Sequence, residues 1–326
     1  MLISKIIVAA ALGLVLIALP ARAQDFPSRP LTMVVPFAAG GPADVLARII
    51  DPRLSALLGQ QVIVENMGGA GGINGSLRVA KAPPDGYQLV MGTQGTHAQN
   101  QALFKSPPYH PLADFAPLGL IVVTPLVLVT RKDLPVDDFK AFIAYFRANH
   151  ANMQFGSAGT GSGTHLGCVL LNAALGANVT HVPYRGSALA MQDLQAGRID
   201  YMCDVVSTAL PQIEGKIVRP MAVLNRERSP VLPDVPTAQE QGLTDFEAPG
   251  WFAFFLPKAT PVPIVGRLNH ALSDTLDTPL VRERLEGLGM GIPPLERRSP
   301  DYLGRFVASE IEKWAAPISA ARISLD

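Results

Sequence analysis

The sequence is poor in charge: only 17% of its 326 residues are Asp, Glu, Lys or Arg, and 27 basic side chains are matched by 27 acidic ones. Without an excess of one sign there is no electrostatic footprint for nucleic acid. The six histidines (His97, His110, His150, His165, His181 and His270) are scattered, with neither H-E-x-x-H nor C-x-x-C, so no metal centre is expected. No Gly-Lys-Ser/Thr follows either glycine-rich stretch, and Gly159 and Gly161 lack the third glycine of a dinucleotide fingerprint, so no cofactor is expected. No G-x-S-x-G elbow surrounds a serine. Beyond residue 23 every long apolar run is broken by Pro, Gly or a charge, which leaves no later candidate for a spanning helix. Cysteine is scarce, at two residues, Cys168 and Cys203.

What is present begins with an export signal. Lys5 supplies a basic start, Ile6 to Leu19 is apolar, and Ala21-Arg22-Ala23 has the small–x–small form of a cleavage site. Residues 1–23 are therefore expected to be removed, leaving a soluble chain that begins near Gln24 in the periplasm. In that oxidising compartment the two cysteines can form one bridge, or serve as small core residues with free thiols. The bridge is the expectation, since Cys168 lies about one turn into a helix and Cys203 ends a neighbouring strand.

The chain is organised around residues 31–44, LTMVVPFAAGGPAD. A short apolar run stops at Pro36, Gly40 and Gly41 allow a turn, and Pro42 suits the first position of a helix that carries Asp44 in its first turn. Residues 153–165, MQFGSAGTGSGTH, repeat this plan of strand, glycine loop and helix. In an open α/β sheet such loops face the ligand crevice, and the free N–H groups of a helix start attract anions. Gly92-Thr93-Gln94-Gly95-Thr96-His97 forms a third polar, flexible loop at a strand end.

The β-α-β-α-β order of the first hundred residues predicts a parallel, doubly wound sheet. The alternation repeats after Thr124-Pro125, where a proline interrupts an apolar strand, and a returning strand is expected over Phe246–Leu256. Pro52 is expected to kink or interrupt the first helix. The fold class is thus α/β, with two lobes, each a mainly parallel sheet flanked by helices and joined by two crossover strands. The boundaries fall at 24–124 plus 251–326 for lobe 1 and 125–250 for lobe 2. Asp204 ends a strand, where it either faces the crevice or caps the helix near Ser207. Tyr184 and Arg185 follow another strand and are placed to meet an anion or to lie in a surface loop.

The stretches VPFAAGGPADVLARI, VIVEN…GGAGG, PPDGYQLVMGTQGTHAQN, DFAPLGLI, HVPYRGSALAMQDLQAGRIDYMCD and LPDVPTAQEQGL resemble the Bug-type substrate-binding receptors of tripartite tricarboxylate transporters. The resemblance implies a two-lobe, type II-like periplasmic-binding-protein fold closing on a small organic carboxylate. It implies a monomer that is not an enzyme and that delivers its ligand to membrane subunits. By position, Phe37, Ala38, Ala39, Gly40, Gly41 and Asp44 match the first ligand loop. Ser157, Ala158, Gly159, Thr160, Gly161, Thr164 and His165 match the second, Gly95 and Thr96 a third contact region, and Asp204 a position facing the ligand's distal part. Two other classes compete: a secreted hydrolase using Ser157 or Ser162 with His165, and a ligand-sensing partner protein without a transport role.

Overall fold

The computed structural model describes residues 26–244 and 246–320, so the proposed signal segment lies outside the described residues. In chain order, β1 (Leu31–Val35), α1 (Pro42–Leu58), β2 (Val62–Asn66), α2 (Ile73–Ala80) and β3 (Gln88–Thr93) build the first run. A π-type turn, Gly95–Gln99, leads into α3 (Asn100–Leu103) and then β4 (Phe115–Arg131). The second run comprises α4 (Phe139–Asn149), β5 (Gln154–Ser157), α5 (Gly163–Ala174), β6 (Thr180–Pro183), α6 (Ser187–Gln195), β7 (Tyr201–Val205), α7 (Val206–Glu214) and β8 (Val218–Val223). The chain returns through β9 (Pro249–Pro257) and closes with α8 (Val262–Asp277), α9 (Pro279–Glu286) and α10 (Pro300–Ala320).

The strand order is β2-β1-β3-β9-β4-β7-β5-β6, with β8 also paired to β4. β1 runs parallel to β2 and β3, and β5 runs parallel to β6 and β7. β9 is antiparallel to β3 and β4. The parallel strands are covered by helices, which is why β1 can be apolar on successive positions: Leu31, Met33, Val34 and Val35 are all buried. On the helical side Leu46, Ile50 and Leu54 of α1 recur at helical spacing and join the same core.

β4 carries the chain from one lobe's sheet to the other's. Its first half pairs with β9 as far as Pro125↔Pro249, and its second half pairs with β7 from Leu126 onward. Pro125 therefore does not interrupt the strand. It sits at the change of partner, the place where a missing N–H costs the ladder least. Pro52 likewise leaves α1 continuous. It lies on the exposed face, where water can satisfy the carbonyl its ring releases. The helix stops instead at Gly59, whose φ of 69° is the left-handed conformation that only glycine adopts freely.

Cys168 on α5 and Cys203 on β7 are joined in a disulfide with their Cα atoms 5.4 Å apart. Both residues are fully buried, so the bond fixes the middle of α5 to the middle of the adjacent strand β7.

Candidate functional site

A cavity of about 520 Å3, counted with its open mouth, lies between the two sheets at the level where β4 changes partner. Five helical starts contribute to its wall: Pro42 and Ala43 of α1, Gln94 and Gly95 at the π-type turn, Ser162, Gly163 and Thr164 of α5, Ser187 of α6, and Val205 before α7. The remainder is apolar and comes from Phe37, Leu126, Ala158, Trp251 and Phe252, with Thr93, Thr124 and Gly250 between. No Asp, Glu, Lys, Arg or His side chain is among the lining residues. First-turn amides have no carbonyl within their own helix to bond, and the aligned peptide dipoles put partial positive charge there. The helix starts thus bring partial positive charge to a largely apolar wall that contains no cation.

Among the expected site residues, Phe37, Gly95, Ala158 and Thr164 line this cavity. The loop glycines Gly40, Gly41, Gly159 and Gly161 do not, and the amides of Gly40, Gly159 and Gly161 are spent on the loops themselves. Gly40 N donates to Asp44 Oδ2 at 2.9 Å, and Asp44 also accepts Arg48 Nε at 3.0 Å. Burial works to raise the Asp44 pKa, but the bonds from Arg48 and the Gly40 amide outweigh it and hold the carboxyl below its usual range. Ala38 N donates across the cleft to Arg185 O at 2.9 Å. In the second loop Ala158 N donates to Thr164 Oγ1 (2.9 Å), Gly159 N to Ser157 Oγ (3.0 Å) and Gly161 N to His165 Nδ1 (3.2 Å).

The glycines form a seam where the rims of the two lobes meet. A Cβ at Gly71 would fall on the carbonyl oxygen of Thr160, and one at Gly68 would lie 2.8 Å from Arg185 O. At Gly95 it would lie 2.6 Å from Gly163 N, and at Gly186 it would lie 3.1 Å from Ala38 N. Gly41, Ala39 and Thr160 belong to the same rims and do not reach the cavity lining.

Behind the second loop, the His165 and His181 rings lie against each other, tilted by 35° with centroids 4.1 Å apart. His181 Nε2 and Ser157 Oγ are 2.7 Å apart. Burial pushes His165 down to about 3, helped by its neighbour, and His181 down to about 4. Ser162 caps α5 by accepting His165 N at 3.3 Å and sits 3.1 Å from Thr164 Oγ1. Neither Ser157 nor Ser162 is bonded to the His165 ring.

The third stretch is not a flexible loop. Residues 92–97 are all buried, Thr96 Oγ1 accepts Thr93 N at 2.9 Å, and His97 stacks on Phe255 at 4.0 Å. Burial pushes His97 down to about 3. Thr96 accordingly supports the turn, and Gln94 and Gly95 face the cavity in its place.

Asp204 is fully buried and does not line the cavity. Its Oδ1 accepts Val205 N at 2.9 Å and its Oδ2 accepts Thr208 Oγ1 at 2.7 Å, both at the start of α7. Burial raises its pKa, opposed by those bonds and by the nearby Ser187 hydroxyl. Arg185 is exposed, and Tyr184 donates to Asp193 Oδ2 at 2.6 Å, so neither side chain reaches the cavity. Ser187 and Val205 were missed as lining residues. Both stand where a strand gives way to a helix, so the rule applied to β1 and β5, extended to β6 and β7, would have found them.

Trp251 forms part of the cavity wall and donates its indole N–H to Glu310 at 3.0 Å. Trp314 donates to the same oxygen at 3.1 Å. Among the described residues no group of three or more His, Cys, Asp or Glu could hold a metal ion, and no helix is long and apolar enough to cross a membrane.

Two lobes joined through β4 and β9, with a cavity where helix starts from both converge, define a periplasmic-binding-protein fold. Residues 46–323 match the model of the tripartite tricarboxylate transporter family receptor, and the chain belongs to that family. A UPF0065 protein from the TAR-I ttuE-ttuC′ intergenic region of Agrobacterium vitis is 45% identical over 302 residues, 92% of this chain and 87% of that protein. Among solved structures, MatC from Rhodopseudomonas palustris with bound malate superposes with a TM-score of 0.88 at 42% identity, covering 90% of this chain and all of the other. The periplasmic binding protein BugD gives the same TM-score at 38% identity, covering 91% of this chain and 99% of its own.

Proposed function

We propose that this chain is an extracytoplasmic receptor that reversibly binds a small organic carboxylate between its lobes and delivers it to the membrane subunits of a tripartite transporter. The observation that carries this reading is the convergence of five helical starts on a cavity with no charged side chain in its lining. Such a wall offers amide donors and partial positive charge to an anion, each helix start contributing about 0.3–1 kcal/mol and up to ~2 when desolvated. The donors we assign to it are the amides of Gly163 and Thr164 from one lobe and of Ala43 and Gly95 from the other, all residues of the cavity wall. Malate, a carboxylate, occupies the related R. palustris structure.

The lobes are 24–124 plus 251–326 and 125–250, and the hinges lie at Thr124-Pro125 and Pro249-Gly250-Trp251. An anion held by amides of both lobes favours the closed state, which supplies the differential affinity that a ligand-driven shift needs. The receptor works as a monomer in the periplasm and turns over no substrate. Supporting that, Ser162 is engaged in capping α5 and Ser157 is paired with His181 rather than His165.

Calorimetry with mono- and dicarboxylates tests the reading. Saturable binding of an unchanged ligand is expected, with about 2.7 kcal/mol of added stability at a hundredfold excess over Kd. Solution scattering is expected to show a smaller radius of gyration with ligand. Turnover abolished by Ser162→Ala would establish the hydrolase instead, and indifference to every carboxylate would favour a partner protein with an empty cleft.

A further inference from the structure

Six polar side chains line the cavity: Thr93, Gln94, Thr124, Ser162, Thr164 and Ser187. Four of them already have partners. Thr93 is tied to Thr96, Thr124 Oγ1 donates to Pro125 O at 3.5 Å, and Ser162 and Thr164 bond one another and the amides of their own loop. The other two are different. Ser187 is 1% exposed and its Oγ has no partner within hydrogen-bond geometry, although the Asp204 carboxyl lies close behind it. Gln94 is 4% exposed, and its carboxamide makes no hydrogen bond to any described residue. They stand on opposite lobes, Gln94 at the end of β3 and Ser187 at the head of α6.

We propose that Gln94 and Ser187 are the specificity-determining pair of this cavity, clamping a second oxygen function of the ligand, a hydroxyl, keto group or further carboxylate, from the two lobes. The proposal rests on the carboxylate reading above, with the helix-start amides holding the first carboxylate. The Ser187 hydroxyl is buried without a partner and the Gln94 carboxamide is left unbonded at the cavity wall, so a ligand that closes the cavity without an oxygen for them leaves both unsatisfied. A plain monocarboxylate with an apolar tail leaves both unsatisfied. Because Gln94 and Ser187 are uncharged and each can donate as well as accept, the pair suits an oxygen function in either role. Asp204 acts as a positioning residue behind Ser187, since it has no cation beside it and accepts from the Thr208 hydroxyl at 2.7 Å.

The test compares acids of equal length by calorimetry: succinate, malate and butyrate. The better of the first two is expected to bind roughly 100-fold more tightly than butyrate, in keeping with the penalty for leaving buried polar groups unpaired. Ser187→Ala and Gln94→Leu are each expected to cut that preference about tenfold, one hydrogen bond's worth. Melting curves show which variants are folded, and Gln94→Asn, which keeps the amide but withdraws it, serves if Gln94→Leu is not. Butyrate binding as well as succinate and malate overturns the proposal alone, as does a preference that survives in the folded double variant. Failure of all three acids to bind removes the carboxylate reading and this inference with it.

Discussion

The loop over residues 37–44 and the loop over 157–164 read alike in sequence, a strand followed by glycines and a helix, yet they are built on different chemistry. The first is held by charge: Asp44 takes the Gly40 amide and pairs with Arg48, which is about half exposed. The second is held by neutral groups, with Ser157, Thr164 and His165 each accepting one loop amide. Depth does not separate them, since Asp44 is as buried as Thr164 and His165; the charge is tolerated in the first loop because Arg48, itself reaching solvent, pairs with it. In both loops glycine amides serve the loop itself, those of Gly40 in the first and of Gly159 and Gly161 in the second. Glycine's contribution is close approach, seen where Gly71 meets Thr160 across the seam.

The largest separation of the two loops is expected from reduction. The disulfide anchors α5, on which only the second loop depends, and closes a span of 35 residues. Denaturant titration with and without reductant should show about 3–4 kcal/mol less stability when reduced. Hydrogen exchange should rise first around residues 157–164, and equal rise in residues 37–44 would contradict the assignment.

Acid should act next, and on the same loop. His165 is held near 3 and His181 near 4, below the ordinary 6.5, so the unfolded chain takes up protons first as the pH falls. Their contribution is whole above pH 6.5 and is lost progressively toward pH 4, reaching about 3 kcal/mol from His165 at that end and less from the more accessible His181. Asp44, with its depressed pKa, keeps the first loop intact until the pH falls below the ordinary carboxylate value of 3.8. A denaturation midpoint that does not move between pH 6.5 and 4 would refute this.

The seam can be broken without substituting a residue of either loop. Gly71→Ala puts a methyl group on the Thr160 carbonyl oxygen and forces a side chain into φ +61°, so closure should weaken while each lobe stays folded. Affinity for every ligand should fall by at least about tenfold, or ~1.4 kcal/mol. Selective loss for one ligand would place Gly71 in the site instead of the seam. The smallest effect is expected from Asp44→Asn, about 1 kcal/mol of stability, from weakening a helix-start charge and a partly exposed ion pair. That loss should shrink in high salt, whereas the loss on reduction should not.

Much of the fold is legible because periodicity and punctuation agree. The apolar run 31–35, Pro42 at a helix start and Gly59 at its end each specify their element locally. Pro52 and Pro125 misled because their effect depends on surroundings that the sequence does not display, an exposed helix face in one case and a change of strand partner in the other. The site was legible as a region and not as atoms. Strand-to-helix loops pointed to the right end of each sheet, but which amides remain unspent depends on partners such as His165 and Asp44 and on how side chains turn. The polarity of Gly92 to His97 read as flexibility, although its hydroxyls and imidazole satisfy one another in a buried turn. Asp204 had two readings, facing the crevice or capping the helix near Ser207, and its bonds to Val205 and Thr208 commit it to the start of α7.

Trp251 carries a consequence of another kind. Its ring forms part of the cavity wall while its N–H is fixed on Glu310, and the chain's one other tryptophan, Trp314, rests on the same carboxylate. The ring in the wall meets whatever enters, and the ring behind it is shielded by its burial in the first lobe. The protein therefore carries an intrinsic fluorophore and an internal reference. Occupancy can be followed by light on the unlabelled chain, with Trp314→Phe leaving the signal of the cavity wall alone.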